Sequence, residues 1–194
     1  MNIHKVLTLG FRLNVLGLLA GLSLVYVALS DKPWWILIGG SFEEPAFLVE
    51  ASPFMFLVTA FGEPVSIPII SYLNLGMRLS LLVIAAMIIF GSLALGKPWS
   101  KNLFSLAGLI IPIIFPIFLY IGLEILKANM GISIPIIGES TLKYSIPYET
   151  RNLTIYIPMV AEITQEYWIA LATGIVSLIA REVHVASFDS RLKS

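Results

Sequence analysis

Four long apolar stretches punctuate the chain, and the positions of their charged residues set how it threads. Leu13 to Ser30 carries no charge and Leu79 to Gly96 carries none, whereas Leu103 to Leu123 is uncharged but holds Pro112 and Pro116. Spanning a bilayer core takes about 20 predominantly apolar residues. These stretches predict transmembrane helices over about 10–30, 78–96 and 103–125. A fourth, over 162–180, rests on the shorter run from Tyr167 to Ala180, lengthened by placing Glu162 and Glu166 one helical turn apart at the interface. The segment Gly96–Asn102 reads as a tight polar turn between the second and third helices.

Two long connections remain, 31–77 and 127–161. In the second, Leu142, Tyr144, Ile146 and Tyr148 alternate with Lys143, Ser145, Pro147 and Glu149, and the alternation resumes at Leu153, Ile155 and Ile157. Period-two patterning predicts a β-hairpin, with "WWILIG" at Trp34–Gly39 as a possible partner strand and the prolines kept to edge positions. The first connection is apolar without clean alternation. Ser52 followed by Pro53 suits the cap and first position of a helix, so 45–62 reads as an interfacial or re-entrant lid. The expected fold is therefore an all-α, four-helix membrane bundle, one domain over 1–194, bearing a small extracytoplasmic hairpin and this lid.

Composition agrees with a membrane location. Of 194 residues, 58% are hydrophobic and 12% charged, against about 25% charged in soluble domains, and the mean hydropathy is +0.92. Lys5, Arg12, Lys97, Lys101, Arg181, Arg191 and Lys193 concentrate in three short segments on one side of this threading. The positive-inside rule then puts both termini in the cytoplasm of a multi-pass cell-membrane protein. The apolar N-terminal run reads as an uncleaved first span. An isoleucine-rich chain poor in amides suits a prokaryote or archaeon.

Charge and chemistry narrow the function classes. Twelve basic residues balance twelve acidic ones, so no field draws nucleic acid. Cysteine is absent and histidine occurs only at 4 and 184, which removes thiol nucleophiles and Cys/His metal sites; His184 reads as a solvated tail residue. Nucleotide-binding and hydrolase motifs are likewise missing. No catalytic, metal or cofactor residue is assigned.

The residues singled out are those suited to contact. Trp34 and Trp35 read as headgroup-level anchors. With Arg78 at a span end and Tyr144, Tyr148 and Tyr156 on the hairpin, they are the candidate ligand or partner contacts. Gly17 with Gly21 and Ala170 with Gly174 form small-xxx-small helix-packing faces, echoed by Ser92 and Gly96. Asn152-Leu-Thr matches the N-glycosylation acceptor pattern at the hairpin tip. The function expected is a non-catalytic accessory subunit of a membrane or envelope complex, in contact with lipid and with other subunits or copies of itself. A quinone- or lipid-facing subunit of an oxidoreductase, with a pocket among Trp34, Trp35, Arg78 and the lid, is the second reading, and a channel or transporter component the third.

Overall fold

A computed structural model of the chain describes residues 13–41, 43–65, 68–94, 97–148 and 151–192. Lys5, Arg12, Gly96, Thr150 and Lys193 fall outside these, and so does the turn of the expected hairpin at 149–150. Four helices and six strands alternate in blocks: α1 (Val15–Leu29), β1 (Trp35–Gly40), β2 (Pro45–Ser52), β3 (Met55–Ala60), β4 (Glu63–Val65), α2 (Pro68–Leu93), a 3-10 turn (Pro98–Leu103), α3 (Ala107–Met130), β5 (Gly138–Tyr148), β6 (Arg151–Ile163) and α4 (Gln165–Leu192). The all-α bundle expected from the sequence is therefore incorrect. The fold is mixed, and its sheet is six-stranded and antiparallel in the order β4-β3-β2-β1-β6-β5.

The largest misreading concerns 45–62, which is neither helical nor re-entrant. Phe47, Val49 and Ala51 occupy one face of β2 while Leu48 and Glu50 occupy the other. Both rows are largely apolar, which hides the period of two. Ser52 does not cap a helix: its hydroxyl accepts a hydrogen bond from Phe54 N–H (3.2 Å) in the short turn into β3. A two-residue turn at Phe61 and Gly62, with φ of 50° and 81°, then leads into β4. Positive φ at both central positions gives a hairpin turn the right-handed twist of its strands, at a steric cost for Phe61 that Gly62 does not incur.

The hairpin of β5 and β6 is longer than the alternation suggests and is not isolated. β6 also pairs with β1 from Met159 to Ile163, opposite Gly39 to Trp35. Proline explains where that second pairing stops. Pro158 lies one residue beyond Met159, while Pro147 and Pro64 lie on the two edge strands. At the far end of β1 the ring of Phe47 covers Gly39, where an added Cβ would come within 2.2 Å of it.

The chain divides into two compact units, one of Met1–Asp31, Leu75–Ile114 and Trp168–Ser194, the other of Lys32–Asn74 and Phe115–Tyr167. In the sheet unit, buried Trp35, Leu37, Ala51, Met159 and Ala161 share one face, and Phe115, Leu119 and Leu123, spaced by four on α3, pack against them. In the helical unit, glycines set the contacts. A Cβ on Gly17 would lie 2.1 Å from Ser92 Oγ, one on Gly21 2.4 Å from Ile89 Cγ1, and one on Gly174 2.7 Å from both Gly108 O and Leu109 Cα.

The proline-bearing span shares this packing. α3 continues through Pro112 and Pro116 without a break. Pro112 has no N–H for the carbonyl of Gly108, four residues earlier, and that carbonyl is the one facing Gly174 on α4. Pro112 thus belongs to a close helix contact.

Among the described residues, three stretches are long and apolar enough to cross a membrane: Pro68–Leu93, Pro98–Asn129 and Gln165–Ser187. The predicted span boundaries shift. β6 runs to Ile163, so Glu162 is a strand residue, and Glu166 in the first turn of α4 pairs with Lys32 at 3.2 Å. α4 continues well past Arg181. The first apolar helix is the short one, 15 residues or about 22 Å at 1.5 Å per residue.

Asn14 fixes the start of α1. Completely buried, it accepts from Gly17 N–H at Oδ1 (3.0 Å), donates from Nδ2 to Ala180 O (2.8 Å) and donates its backbone N–H to Ser92 O (3.0 Å). The side-chain amide therefore caps α1 and ties it to α4, and the backbone N–H ties it to α2. Loss of an N-cap costs about 0.5–2 kcal/mol. Asn14→Ala is expected to sit at the upper end, about 2 kcal/mol, in thermal unfolding in detergent. Asn14→Ser, which keeps a capping oxygen but not the Nδ2 donor and adds no charge, should fall between it and wild type.

Candidate functional site

A concave feature with apolar walls belongs wholly to the sheet unit. It is a half-open groove of about 530 Å³, with β1, β2 and β3 forming one wall and the second half of α3 the other. Its geometry follows from two periods meeting. Trp35 and Leu37, Val49 and Ala51, and Phe56 and Val58 project from one sheet face at spacing two, while Phe115, Leu119 and Leu123 face them at spacing four. Ser52 is the one lining residue with a polar side chain. The groove has the walls of a hydrocarbon site and no pair of groups for proton transfer.

The two tryptophans are structural, contrary to their reading as interfacial anchors. Trp34 is 2% exposed and meets Phe54, Phe115 and Tyr167 edge-on, with centroids 5.4, 5.4 and 6.0 Å away. Trp35 is 1% exposed, lines the groove and donates its Nε1–H to Ile136 O (2.7 Å). Sheet register, not a headgroup layer, positions them: Trp35 lies opposite Ala51 on one side and Ile163 on the other.

Arg78 does not join them. Its guanidinium pairs with Asp31 at 2.9 Å in the helical unit, and not with Glu63 beneath a lid. Asp31 is 83% exposed, and exposed pairs contribute under about 1 kcal/mol. Arg78→Ala should therefore lower Tm by no more than about 2–4 °C, measured in the same detergent as wild type.

The hairpin tyrosines do not form one patch. Register sets Tyr144 opposite Ile155, Tyr148 opposite Arg151 and Tyr156 opposite Lys143, so position 156 falls on the other face from 144 and 148. Tyr156 is exposed, and the side chains of Tyr144, Tyr148 and Asn152 lie outside the described residues. The packing residues Gly17, Gly21 and Gly174 meet partner helices within the helical unit, and Ala170 is 2% exposed. Glu124 and Lys127 approach to 3.7 Å on the exposed side of α3.

One polar cluster escaped the sequence reading. His184 is not a solvated tail residue but completely buried on α4, its ring 4.6 Å from that of Phe104. Ser100 gives its hydroxyl proton to Lys97 O (2.7 Å) and can then accept from His184 Nε2–H (2.9 Å). That assignment leaves Nδ1 as a bare acceptor, and it has no hydrogen-bond partner. Histidine spacing carried no signal, because the partner lies in the turn between α2 and α3. Among the described residues no group of three or more His, Cys, Asp or Glu converges on a metal-sized site. No protein-family model and no curated protein matches the chain.

Proposed function

We propose that this is a multi-pass membrane protein with cytoplasmic termini that carries its sheet on the opposite side and serves as a non-catalytic accessory subunit. Three span-length apolar helices among the described residues and the basic residues near Lys97 and Arg181 support the membrane part, and termini on one side require the shorter α1 as a fourth crossing. The pairing of β1 with β6 supports the threading. Strands from the first and second connections can meet only on one side of a bilayer, as they do if α2 and α3 cross in opposite directions.

The observation that carries the subunit reading is the β3–β4 edge. Phe61 at its turn is 84% exposed and strained at positive φ, and Val65 on β4 is also exposed. β4 is a three-residue edge strand carrying Pro64, a form of edge that resists strand addition, so a contact here would be made by side chains. Exposed apolar side chains at an open edge mark a protein-contact surface. Purification from native membranes in mild detergent tests the reading. A stoichiometric companion protein lost on Phe61→Asp is the expected result. Migration as a lone monomer, with wild type and variant alike, would refute it.

The second reading, a lipid- or quinone-facing subunit of an oxidoreductase, is favoured by the apolar groove. That groove takes in Trp35 but neither Trp34 nor Arg78.

A further inference from the structure

We infer that the groove between β1–β3 and α3 is a binding site for one hydrocarbon chain of a membrane lipid. The inference rests on the membrane reading above and adds to it a ligand class and a site.

Gly122 carries the argument. It lies inside α3, where glycine is unfavourable because it gains the least from helix formation. The helical glycines at 17, 21, 91, 108 and 174 are explained by neighbours that an added Cβ would meet within 2.1 to 3.2 Å, whereas Gly76 in α2 has no such neighbour and lines no part of the groove. At Gly122 a Cβ would meet nothing within 4 Å, yet the residue lines the groove. Packing within the chain therefore gives no reason for a missing side chain there. Its absence widens a channel that already has Phe56 and Val58 on the facing strand and Leu119 and Leu126 beside it on the helix.

The walls select the occupant. With Ser52 the only polar side chain in the lining, the groove offers no recognition to a charged or hydrogen-bonding ligand. Its volume of about 530 Å³ falls within the 300–1,000 Å³ or so typical of small-molecule sites. A lipid chain, in preference to a peptide or a second copy, follows from continuity. The α3 wall belongs to the stretch Pro98–Asn129 that is long and apolar enough to cross a membrane, and Ile117, Phe118, Ile121 and Ile125 on that helix are exposed. A chain sliding along α3 from the bilayer reaches the groove without entering water.

The test uses the full chain reconstituted into phosphatidylethanolamine/phosphatidylglycerol vesicles containing a trace of phospholipid with a diazirine in its acyl chain. Photolysis and peptide mapping should place label on the strand segment 35–58 as well as on α3, and excess unlabelled lipid should remove the strand label. Gly122→Phe, which fills the groove, should cut strand labelling about tenfold while leaving labelling of α2 unchanged; Gly122→Ala should retain most of it. Label on α2, α3 and α4 without the strands would overturn the site and leave the membrane reading standing. An unlabelled chain that alkaline carbonate strips from the vesicles would overturn the membrane reading itself. Cross-links between copies through 35–58 would reassign the groove to a second copy. The wild-type map decides the matter even where Gly122→Phe fails to fold.

Discussion

Substituting leucine for Gly174 is expected to lower the melting temperature of the helical unit by roughly 10 °C or more. The Cβ alone would stand 2.7 Å from Gly108 O and from Leu109 Cα, and both are backbone atoms that no side-chain rotation can move aside. Overpacking costs about 1–3 kcal/mol where side chains can adjust, and more where they cannot. The α3–α4 contact must open, so the loss should exceed about 3 kcal/mol, or roughly 10 °C in Tm for a chain of this size. Even Gly174→Ala should destabilise. Gly122→Ala is the matched control in α3: nothing opposes its Cβ, and alanine's helix preference should leave stability equal or raise it by up to about 1 kcal/mol. Thermal unfolding followed by helical circular dichroism in one detergent checks all three. Equal melting of Gly174→Leu and wild type would contradict the described contact.

The second large effect is expected at Trp34. Truncation to alanine removes a ring that is 2% exposed and packed edge-on against Phe54, Phe115 and Tyr167. Large aromatic-to-alanine changes in a core cost about 3–5 kcal/mol, of which each aromatic pair accounts for about 0.5–1.5. The backbone bonds from Trp34 N–H to Ala51 O and from Thr164 N–H to Trp34 O survive the change. The strands should therefore still pair, with loosened packing around Phe54, Phe115 and Tyr167. Near-ultraviolet circular dichroism and protease sensitivity at the 53–54 turn report this directly. Trp34→Phe should lose less than half as much. A ring anchored in headgroups would instead tolerate phenylalanine and alanine with small changes in stability.

The sequence carried some features of this fold and hid others for definite reasons. The β5–β6 alternation was legible because polar and apolar residues occupy opposite faces of those strands. β2 and β3 were not, since apolar residues occupy both of their faces: Leu48, opposite Ile38, and Leu57, opposite Glu50, lie on the face away from the core, interrupted there by Glu50 and Thr59. A short apolar run without visible alternation reads as easily for a buried or interfacial helix. The packing role of Gly17, Gly21 and Gly174 could be read from spacing, because helix geometry is local. The partners of Asn14 and His184 could not. Asn14 reaches a carbonyl 166 positions away, and His184 a serine 84 positions away. The groove was legible in part: of the pocket expected among Trp34, Trp35, Arg78 and 45–62, it takes in Trp35 and residues of 45–62 but neither Trp34 nor Arg78, and its α3 wall was not foreseen because it meets the sheet only through the tertiary fold.

The pairing of β1 with β6 also sets a timetable for synthesis. Trp35 waits for Ile163, about 130 positions later in the chain. At translation rates of roughly 5–20 residues per second that interval lasts between about 6 and 26 seconds. Throughout it, β1 has β2 on one side and a vacant row of backbone donors and acceptors on the other. The half-made sheet is then a template for any extended strand nearby, so nascent chains of this protein are most exposed to mispairing before the last helix is made, and least once β6 has closed the row.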